Sequence, residues 1–520
     1  MKTFEINFLI IVLIIFSLLN SCSGSKNMNE EEAKNEAPNI ILLMGDDHGW
    51  DEVGYNGHPF AKTPVLDEMA ASGMRFDRFY SGHSSCSPTR GSFMSGRHPY
   101  RYGTFWPGWS IRPEEITIGH LMKNAGYNTA HFGKWHLGPV KKDSPTNPGA
   151  MGFDEYLSHD NFFDLNPVFS RNGEAPEEFE GESSEIIIDE AIEFIQKSNK
   201  NGKPFMAVVW FGSPHEPYSG LPEDLTLYDN LPDSLSNIEV SLTSNETGKP
   251  VKRPLREVLR ERYAEITAMD RAIGKLRNYL EENNMKENTL VWYCGDNGPP
   301  HSAARTGITL REDKGYVYEG GIRVPGVLEW PAVIKKPQVN SNISVTSDIF
   351  PTLAEITNQS LPERPIDGIS LFPFFKNPEK ERTEPIYFWQ FESGKVFDES
   401  LKKYIESAEP YIDPQLQEGT TPLVKMLDGK YTRTFRNFKY STISENDFVG
   451  ERAMLTNKYK LVLEGNTPND KGYELYDLQL DPGETKNLAN ELPDLTEKMK
   501  NQLRNWQESV LNSLTVADYK

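Results

Sequence analysis

The sequence predicts an α/β protein with a large mixed, mainly parallel sheet sandwiched by helices, and a smaller C-terminal α+β domain with an antiparallel sheet. Three observations predict this architecture. Buried-strand patterns alternate with amphipathic helical patterns up to about residue 383. Polar side chains follow the ends of several predicted strands, and short β-like runs separated by turns begin near residue 384. Alternating strands and helices are typical of layers built around a mainly parallel sheet.

Three short apolar runs predict buried strands, because a strand covered on both faces is apolar throughout. They lie in "PNIILLMGDDHGW" (38–50), "KPFMAVVWFGSPHEPY" (203–218) and "NTLVWYCGDNG" (288–298). A further strand is predicted to end at Gly133 and Lys134. Open α/β sheets bind ligands at the carboxyl ends of their strands, which is where the polar residues of these runs lie.

Amphipathic helices separate these strands. Apolar residues recur at helical spacing in "SSEIIIDEAIEFIQKS" (183–198) and between Leu255 and Leu280. A shorter helical pattern begins at Ile118 and is closed by Gly126. After residue 384 the strand-like runs are "EPIYFWQF", "RAMLTNKYKLVLEG" and "YELYDLQLDP", and a final amphipathic helix, "LTEKMKNQLRNWQESVLNSL", follows them.

Length and charge limit the possible classes of protein. At 520 residues the chain exceeds a typical single domain, and we predict an N-terminal domain over 38–383 and a C-terminal subdomain over 384–520. Hydrophobic residues make up 37% of the chain, enough for a substantial core. The formal charge of −21 disfavours nucleic acid or an anionic membrane as the main partner, although a local basic pocket can still bind a polyanion.

The N-terminus differs from the rest of this polar chain. Residues 8–19 are almost wholly apolar, too short a run to span a bilayer, and typical of a signal-peptide core. Because "LNSC" resembles a bacterial lipobox, we predict a lipoprotein-type signal peptide over 1–22, lipidation of Cys22 and a disordered tether over 23–37. The protein would then be exported and anchored in the bacterial envelope by lipid, facing the periplasm or the cell surface. The alternative is an ordinary signal and a secreted or periplasmic soluble protein.

The other two cysteines are Cys86 and Cys294. In an exported protein they could form a disulfide. Cys294 lies inside a predicted apolar strand, where a buried thiol is the simpler interpretation. Cys86 lies in the polar, turn-prone segment "SSCSPTRGSFMSG" (84–96), where packing does not explain it.

Two predicted strands end in hard oxygen donors. Asp46 and Asp47 follow the first strand, and Asp296 and Asn297 follow the strand that contains Cys294. Oxygen ligands without an accompanying pair of histidine and cysteine ligands indicate Ca²⁺ or Mg²⁺ rather than zinc. The alternative is that these side chains only cap loops, as aspartate and asparagine often do.

The segment around Cys86 weighs against that alternative. "CSPTRGSFMSGR" (86–97) fits the sulfatase pattern Cys-x-Pro-x-Arg, followed by a hydrophobic pair, a small residue and glycine. Other family segments occur in order between about residues 38 and 515: "PNIILLMGDDHGW", "GKWHLG" (133–138), "SPHEPY" (213–218), "DNG" (296–298), "LREDKGYVYEGGIRVP" (310–325), "DIFPTLAEIT" (348–357), "DGISLFPFF" (367–375) and "YELYDLQLDPGETKNLA" (473–489). On these motifs the chain resembles the formylglycine-dependent (type I) sulfatases of the alkaline phosphatase superfamily, and 38–383 would be the catalytic domain.

The resemblance implies that a formylglycine-generating or sulfatase-maturating enzyme converts Cys86 to formylglycine. The aldehyde hydrates to a gem-diol. One hydroxyl attacks sulfur to give a sulfo-enzyme intermediate, and the other, once deprotonated, expels sulfate. Asp46, Asp47, Asp296 and Asn297 match the family's metal ligands, with residue 86 as a further ligand. They would hold one Ca²⁺ ion, and Mg²⁺ is the less favoured alternative.

Other matched residues have roles implied by the family. Arg90 would fix the diol, and Lys134 and Lys314 would bind sulfate or leaving-group oxygens as point charges. His136 would be the base that regenerates the aldehyde, and His215 the general acid for the leaving alcohol.

Four further residues near these motifs are less specific. Ser158, in "YLSHDNF", resembles a family serine that contacts the sulfate. The roles of His159 and His301 stay open: His159 packs beside Ser158 or joins the site, and His301 lines the sugar pocket or lies on the surface. His131, on the strand side of "GKWHLG", is expected to pack.

The chain departs from the family in an insert at about 395–450. Five cations lie among aromatic residues there: Lys425, Lys430, Arg433, Arg436 and Lys439. One interpretation is a solvated loop or extra hairpin. The other is a surface for a sulfated polysaccharide, because aromatic rings stack on sugars and cations pair with sulfates.

Together these features predict a sulfuric ester hydrolase acting on sulfated carbohydrate, a polysaccharide of algal type such as ulvan or carrageenan by analogy, or its oligosaccharides. One alternative is a phosphonate or phosphodiester hydrolase of the same superfamily. Another is a catalytically dead surface lipoprotein that binds sulfated glycan. We expect no nucleic-acid partner, and contact with a membrane only through the lipid anchor.

Overall fold

A sheet of eleven strands organises the described part of the chain. The computed structural model describes residues 37–161, 163–244, 249–303, 310–390, 409–423, 432–465 and 472–519. From Asn39 onward they belong to one compact unit. The predicted signal peptide, Cys22 and nearly all of the predicted tether lie outside these ranges. Within the ranges, no helix combines the length and the apolar character needed to cross a membrane.

The strands come from all parts of the described chain. In chain order they are β1 (Asn39–Gly45), β2 (Met74–Tyr80), β3 (Asn128–Lys134), β4 (Glu155–His159), β5 (Val168–Arg171), β6 (Glu177–Glu178), β7 (Phe205–Trp210), β8 (Glu239–Thr243), β9 (Pro250–Pro254), β10 (Thr289–Gly295), β11 (Arg323–Val324), β12 (Gly326–Glu329), β13 (Gln338–Val345), β14 (Ile386–Gln390), β15 (Glu418–Pro422), β16 (Thr432–Thr434), β17 (Glu451–Leu455), β18 (Tyr459–Leu463) and β19 (Tyr473–Asp477).

Helices connect many of these strands, and one follows the last strand. They are α1 (Pro64–Ser72), α2 (Cys86–Ser95), α3 (Ile118–Asn124), α4 (Ser183–Lys200), α5 (Pro222–Thr226), α6 (Leu255–Glu282), α7 (Glu319–Ile322), α8 (Ile349–Ile356), α9 (Phe372–Lys376) and α10 (Pro493–Leu514).

The first sheet has the strand order β11–β2–β12–β10–β1–β7–β3–β4–β5–β6, and β13 pairs with β2. Neighbouring strands are parallel from β10 through β1, β7 and β3 to β4, and β13 is parallel to β2. The remaining pairs are antiparallel. The predicted mixed sheet is therefore confirmed, and its parallel part is mainly the centre, where the apolar strand sequences lie.

Helices cover both faces of this sheet, as predicted. One apolar core packs the sheet against α1, α4 and α6, and the other packs it against α2, α3, α8 and α9. The long helix α6 carries the apolar residues predicted between Leu255 and Leu280, and both of these end residues are buried. The central strands β1, β7 and β10 are buried along almost their whole length, which explains their continuous apolar sequences.

A second, antiparallel sheet has the order β14–β17–β18–β19. Helix α10 packs against it, with Met499, Leu503 and Val510 in the same apolar core as Leu461 and Leu475. The predicted boundary between residues 383 and 384 falls just before β14. Two smaller hairpins, β8–β9 and β15–β16, lie outside both sheets.

Parallel pairing sets where the strand ends meet. Gly45 pairs with Gly295 at the end of the β1–β10 ladder, so Asp46 and Asp296 leave the sheet side by side. The Asp296 backbone N–H donates to the Gly45 carbonyl at 3.0 Å and extends the ladder by one bond. On the other side of β1, Met44 pairs with Trp210 in β7.

Gly133, which precedes Lys134, is a position that requires glycine. Its φ is +93°, and a Cβ built there would lie 2.0 Å from the Trp210 carbonyl oxygen, in the paired strand β7. We predict that Gly133→Ala destabilises the protein by about 3 kcal/mol, because φ strain and a backbone clash act together. Denaturant unfolding measures this loss.

Gly202→Ala is the matched control for that substitution. Gly202 also has a positive φ, +63°, but no atom lies within 4 Å of its built Cβ. Only the backbone strain should remain there, with a cost of about 1 kcal/mol. Equal losses for the two variants would contradict the assigned clash with Trp210.

Candidate active site

Four buried oxygen donors meet where β1 and β10 end. Asp46, Asp47, Asp296 and Asn297 are at most 1% exposed. The Asp47 backbone N–H donates to Asp296 Oδ1 at 2.9 Å, and Asn297 Nδ2 donates to Asp47 Oδ1 at 2.7 Å. The two pairs that were predicted from separate strand ends therefore form one cluster.

Cys86 lies against this cluster. It is the first residue of α2, and its Sγ lies 3.5 Å from Asp46 Oδ1 and 3.8 Å from Asp47 Oδ1. Burial raises the pKa of the Cys86 thiol well above its ordinary value. The unmodified side chain is thus a protonated thiol at neutral pH, which is a poor nucleophile and a poor metal ligand. Cys294 is also a free thiol, so the alternative of a disulfide between the two cysteines is wrong.

Three cations balance the carboxylates. Lys134 Nζ donates to Asp46 Oδ2 at 2.5 Å, and Lys314 Nζ donates to Asp47 Oδ2 at 2.8 Å. Arg90, at the centre of α2, donates from Nε and Nη2 to Asp296 Oδ2 at 3.1 and 2.7 Å. Each cation is therefore bound to a different carboxylate of the cluster.

Arg90 is held rigidly in this position. Its Nη1 donates to the Lys134 carbonyl at 3.2 Å, and its Cζ lies 5.0 Å from the centre of the Trp210 ring. These contacts of Arg90 orient the Asp296 carboxylate, which is a possible metal ligand. They also fix the end of β3, which carries Lys134. The predicted contact between Arg90 and the diol of residue 86 stays a prediction.

The two predicted catalytic histidines approach the cluster from neighbouring loops. His136 follows β3 and is 2% exposed, and neither of its ring nitrogens has a hydrogen-bond partner among the described residues. Burial and the charge of Lys134 hold the pKa of His136 well below its ordinary value. His215 follows β7, and its Nε2 lies 3.7 Å from Asp47 Oδ2.

The hydrogen bonds of His215 assign its tautomer. Its Nδ1 lies against the backbone carbonyl of Glu216, which can only accept a hydrogen bond, so Nδ1 carries a proton. Burial lowers the pKa of His215 to about 3, so the imidazole is neutral and Nε2 keeps its lone pair. Nε2 is thus the unprotonated ring nitrogen, and it lies 3.7 Å from Asp47 Oδ2.

The donor set fits a hard divalent cation. Possible ligand atoms of Asp46, Asp47, Cys86 and His215 lie within 4.8 Å of one another. The amide Oδ1 of Asn297 is buried and has no hydrogen-bond partner among the described residues. A buried amide oxygen beside three carboxylates is a set of ligands that suits Ca²⁺ or Mg²⁺.

The pKa values of the carboxylates reflect their crowding. Burial and the charge of Asp46 raise the pKa of Asp296 to about 6. Burial alone would also raise the pKa of Asp47, but the charge and hydrogen bond of Lys314, together with the charge of Lys134, outweigh it and hold that pKa below its ordinary value. Negative charge is therefore costly at Asp296, and a bound cation would offset that cost.

Ser158 forms no hydrogen bond with the four oxygen donors among the described residues. Ser158 is fully buried in β4, beside Gly133 of β3, and its Oγ lies 2.8 Å from Nδ1 of His131. The His131 ring packs edge-on against both Trp135 and Trp210, which stack on each other. The expectation that His131 packs is confirmed, and the contact between Ser158 and sulfate stays a prediction.

The two histidines whose roles were open are in different settings. His159 is buried, with its Nε2 3.2 Å from the Pro422 carbonyl and its Nδ1 accepting from the Asn161 N–H at 2.9 Å. His159 therefore links the end of β15 to the residues that follow β4. The His301 side chain is 75% exposed and lies 2.6 Å from Asp313, the neighbour of Lys314, at the rim of the site.

Sequence reasoning missed Arg262, which binds two catalytic loops together. Its Nη2 donates to the Asp47 carbonyl at 2.6 Å, its Nη1 donates to the Pro214 carbonyl, and its Nε donates to Glu52 at 2.7 Å. Asp47 has a φ of +61°, an uncommon value outside glycine, so this contact stabilises a strained ligand backbone. The sequence held a signal, because Arg262 falls between Leu259 and Ile266 on the apolar face of α6.

Part of the predicted insert reaches the site. Lys425 and Lys430 lie outside the described residues. Lys439 pairs with Glu409 on the surface, whereas Arg433 and Phe435 lie near His136. The described part of the insert therefore includes an antiparallel pair, β15–β16, and residues that lie near the catalytic cluster.

Comparisons with known proteins agree with this geometry. The Sulfatase family model matches residues 38–359, and the model described as N-sulphoglucosamine sulphohydrolase, C-terminal, matches residues 311–411. An ulvan-active sulfatase of Formosa agariphila is 31% identical over 375 residues, which cover 71% of each chain. An N-acetylgalactosamine-6-sulfatase of Mus musculus is 30% identical over 401 residues, covering 68% of this chain and 69% of that protein.

A solved structure extends the likeness to the fold. Ps i-CgsB in complex with k-i-k-neocarrahexaose superposes with a TM-score of 0.70 at 22% identity, covering 91% of this chain and 93% of that chain. The family model covers more than half of the present chain and includes both strand ends of the cluster. The chain belongs to the formylglycine-dependent sulfatases of the alkaline phosphatase superfamily and is a sulfuric ester hydrolase.

Proposed function

We propose that this enzyme hydrolyses sulfate monoesters on a sulfated polysaccharide, or on its oligosaccharides, with formylglycine at position 86 as the nucleophile. The position of Cys86 carries the proposal. Its Sγ lies 3.5 Å from Asp46 Oδ1, and Lys134 and Lys314 bind the carboxylates on either side. Support for an algal-type glycan comes from the likeness to the ulvan-active sulfatase.

Two absent groups would act with this cluster. Asp46, Asp47, Asp296 and Asn297 would hold Ca²⁺, with Mg²⁺ as the alternative, and the ion would supply positive charge against the sulfate ester. A hydrated formylglycine at position 86 would supply an oxygen nucleophile in place of the protonated thiol. A maturation enzyme is the partner that would make this conversion.

The lysines would bind the sulfate oxygens. Lys134 and Lys314 reach into the cluster from β3 and from the loop after β10, so a sulfate seated beside residue 86 meets an ammonium group on each side. Preorganised cations stabilise the charge that builds up on oxygen during transfer. Arg90 binds both Asp296 and the Lys134 carbonyl, and so fixes the end of β3 relative to the carboxylate that follows β10.

The two histidines would transfer protons in different steps, His215 to the leaving alcohol and His136 from residue 86. His136 is neutral at neutral pH because its pKa is lowered, so its ring can accept a proton from residue 86. His215 must be protonated at Nε2 before it can donate to the leaving alcohol. Entry of an anionic ester beside His215 favours that protonation, because a nearby negative charge raises an imidazole pKa.

We also propose that the mature protein is a lipoprotein of the bacterial envelope. The support is the "LNSC" segment, which ends at Cys22 after an apolar run. An enzyme held there would meet large glycans outside the cytoplasm.

Mass spectrometry of the peptide around residue 86 tests the nucleophile. In active protein from the native host we expect an aldehyde in place of the Cys86 thiol, and we expect Cys86→Ala to abolish turnover of an aryl sulfate. Cys294→Ala is the matched control, because that thiol is buried inside β10 and forms no hydrogen bond with the cluster among the described residues. Fully active protein with an unmodified Cys86 thiol would contradict the proposal.

Relative turnover of aryl sulfate and aryl phosphate tests the reaction class. The sulfatase assignment predicts a higher kcat/KM for the sulfate ester. Faster hydrolysis of the phosphate would instead favour a phosphoryl-transfer enzyme of the same superfamily.

Thermal unfolding tests the metal. Ca²⁺ added to chelator-treated protein should raise the melting temperature, since a ligand at about 100 times its Kd adds about 2.7 kcal/mol of stability. Asn297→Ala should shift this response to higher Ca²⁺ concentration. Asn283→Ala, at the exposed end of α6, is the control and should leave the response unchanged. A larger shift with Mg²⁺ than with Ca²⁺ would count against calcium.

Leaving-group dependence tests His215. His215→Asn should lower kcat for a sugar sulfate about 100-fold or more, because a sugar alkoxide needs a proton to leave. The same variant should lose less than about tenfold with an activated aryl sulfate, whose phenolate leaves unaided. Equal losses on the two substrates would show that His215 acts elsewhere in the reaction.

A further inference from the structure

The segment 311–321 carries Lys314 and lies between the catalytic cluster and the antiparallel sheet β14–β17–β18–β19. On the cluster side, Lys314 Nζ donates to Asp47 Oδ2 at 2.8 Å. The backbone there is also bound, because the Lys314 N–H donates to the Pro299 carbonyl at 3.0 Å and the Gly315 N–H donates to the Ser84 carbonyl at 2.9 Å. The parts of the segment before and after these residues contact the C-terminal sheet instead.

Strand β19 binds the segment on either side of Lys314. Arg311 Nη1 donates to the Tyr476 hydroxyl at 2.6 Å and lies 3.2 Å from Glu474 Oε2. The Tyr318 hydroxyl donates to the same carboxylate oxygen at 2.7 Å. Arg311 Cζ lies 3.9 Å from the centre of the Tyr318 ring. Two residues of β19 therefore hold positions 311 and 318 together.

A buried ion cluster holds the end of the segment. Lys460 Nζ, from β18, donates to Glu319 Oε1 at 3.1 Å and lies 2.8 Å from Glu484 Oε1. Glu484 Oε2 accepts from the Glu319 N–H at 2.8 Å. All three residues are at most 2% exposed. Such a cluster fixes its members in place, because separating one pair would leave an uncompensated buried charge.

Strand β17 supplies a further contact. Glu451 is its first residue, and Glu451 Oε2 accepts from the Val317 N–H at 2.9 Å. The segment is also packed tightly on itself, since the Gly320 N–H donates to the Arg311 carbonyl at 2.8 Å. A Cβ built on Gly320 would lie 2.0 Å from the Glu312 carbonyl oxygen. A shift at positions 317–320 would therefore be passed to the residues around Lys314.

We infer that the C-terminal sheet positions Lys314 for binding the sulfate ester, and that Glu451, Lys460 and Glu484 are positioning residues of the active site. This inference rests on the proposed function of Lys314. The lysine is a point charge on a flexible stem, so its use depends on where the backbone holds it. Among the described residues, the three side chains form no hydrogen bond with the catalytic cluster, so they would act through the segment.

The inference gives a role to a family segment that carries none of the predicted catalytic residues. Glu484 and the two β19 residues that bind Arg311 and Tyr318 all belong to the segment 473–489. The C-terminal subdomain is thereby part of the active-site architecture, although it contributes no side chain to the cluster itself among the described residues.

Glu451 is the residue that tests this inference most cleanly. Removing Lys460 would leave two carboxylates buried without their cation, so its variants would confuse positioning with folding. Glu451 is half-buried, and its carboxylate makes one hydrogen bond, to Val317, among the described residues. Burial raises the pKa of Glu451 to about 7, so a neutral glutamine is a close mimic that keeps the acceptor oxygen.

Steady-state kinetics with an aryl sulfate are measured on the full-length, formylglycine-bearing enzyme. We expect Glu451→Ala to raise KM about tenfold with little change in kcat, and Glu451→Gln to restore most of the loss. Asp154→Ala is the matched control, because Asp154 accepts from the Thr129 N–H at 3.1 Å near the start of β3, far from Lys134 along that strand. The control should leave KM unchanged.

The split between KM and kcat separates positioning from folding. A purely structural role would reduce the amount of active enzyme, which lowers the apparent kcat and leaves KM unchanged. That result, an unchanged KM and kcat, or a Glu451→Gln variant as impaired as Glu451→Ala would each overturn the inference.

A double-mutant cycle tests whether Glu451 acts through Lys314. With a fluorogenic aryl sulfate, Glu451→Ala should lower kcat/KM about tenfold when Lys314 is present. In a Lys314→Met background the same change should lower kcat/KM by less than about twofold, since the positioned group is gone. Equal losses in the two backgrounds would overturn the inference.

Hydrogen exchange separates this inference from the proposed function, because it needs no substrate. Glu451→Ala should speed exchange of the amides in 311–321 about tenfold, whereas Glu451→Gln and Asp154→Ala should leave it near the wild-type rate. Unchanged exchange in Glu451→Ala would overturn the inference. Failure of the wild-type enzyme to hydrolyse any sulfate ester would overturn the proposed function, and exchange would still decide whether the C-terminal sheet holds the segment.

Discussion

The register between β1 and β10 is the constraint on which the site depends. Parallel pairing up to Gly45 and Gly295 forces Asp46 and Asp296 to leave the sheet together, in a place where water is excluded. Buried like charges repel, as the raised pKa of Asp296 records. Three cations, from α2, β3 and the loop after β10, offset that repulsion by binding the carboxylates, and the buried oxygen donors are of the type that binds a divalent cation.

The same cluster explains why an unmodified cysteine is unsuited to position 86. Beside two carboxylates and out of water, its thiol keeps its proton, so it neither attacks nor binds metal well. An oxygen nucleophile made at this position would use the positive charge that the cluster has assembled. Asp47 and His136 both have a left-handed backbone, and Arg262 binds the Asp47 carbonyl.

Much of this was predictable from sequence. Apolar runs ending in acidic residues predicted both the parallel centre of the sheet and the meeting of Asp46 with Asp296, because strand-end chemistry is local in sequence. The hydrogen-bond distance between Ser158 and His131 was not predicted, because a motif match does not reveal the face of a strand on which a side chain lies. Arg262 was missed because its partners come from residues more than 40 positions away in the chain.

The insert at 395–450 also shows what the sequence could not predict. Its composition predicted a cationic surface or an extra hairpin, and could not decide which of its cations would face the site. The position of the hairpin is set by Asp160, which follows β4, by Ser87 in α2 and by Gly108 in the loop after α2. Tertiary anchors therefore separate Arg433, at the site, from Lys439, which pairs on the surface.

A crystal structure of Cys86→Ala protein with Ca²⁺ and an uncleaved sulfated oligosaccharide tests the proposed site most directly. We predict one Ca²⁺ ion bound by Asp46, Asp47, Asp296 and Asn297, and the scissile sulfate held between Lys134 and Lys314 with its leaving oxygen near His215. A sulfate bound away from these lysines, or a cluster that remains without metal at saturating Ca²⁺, would contradict it.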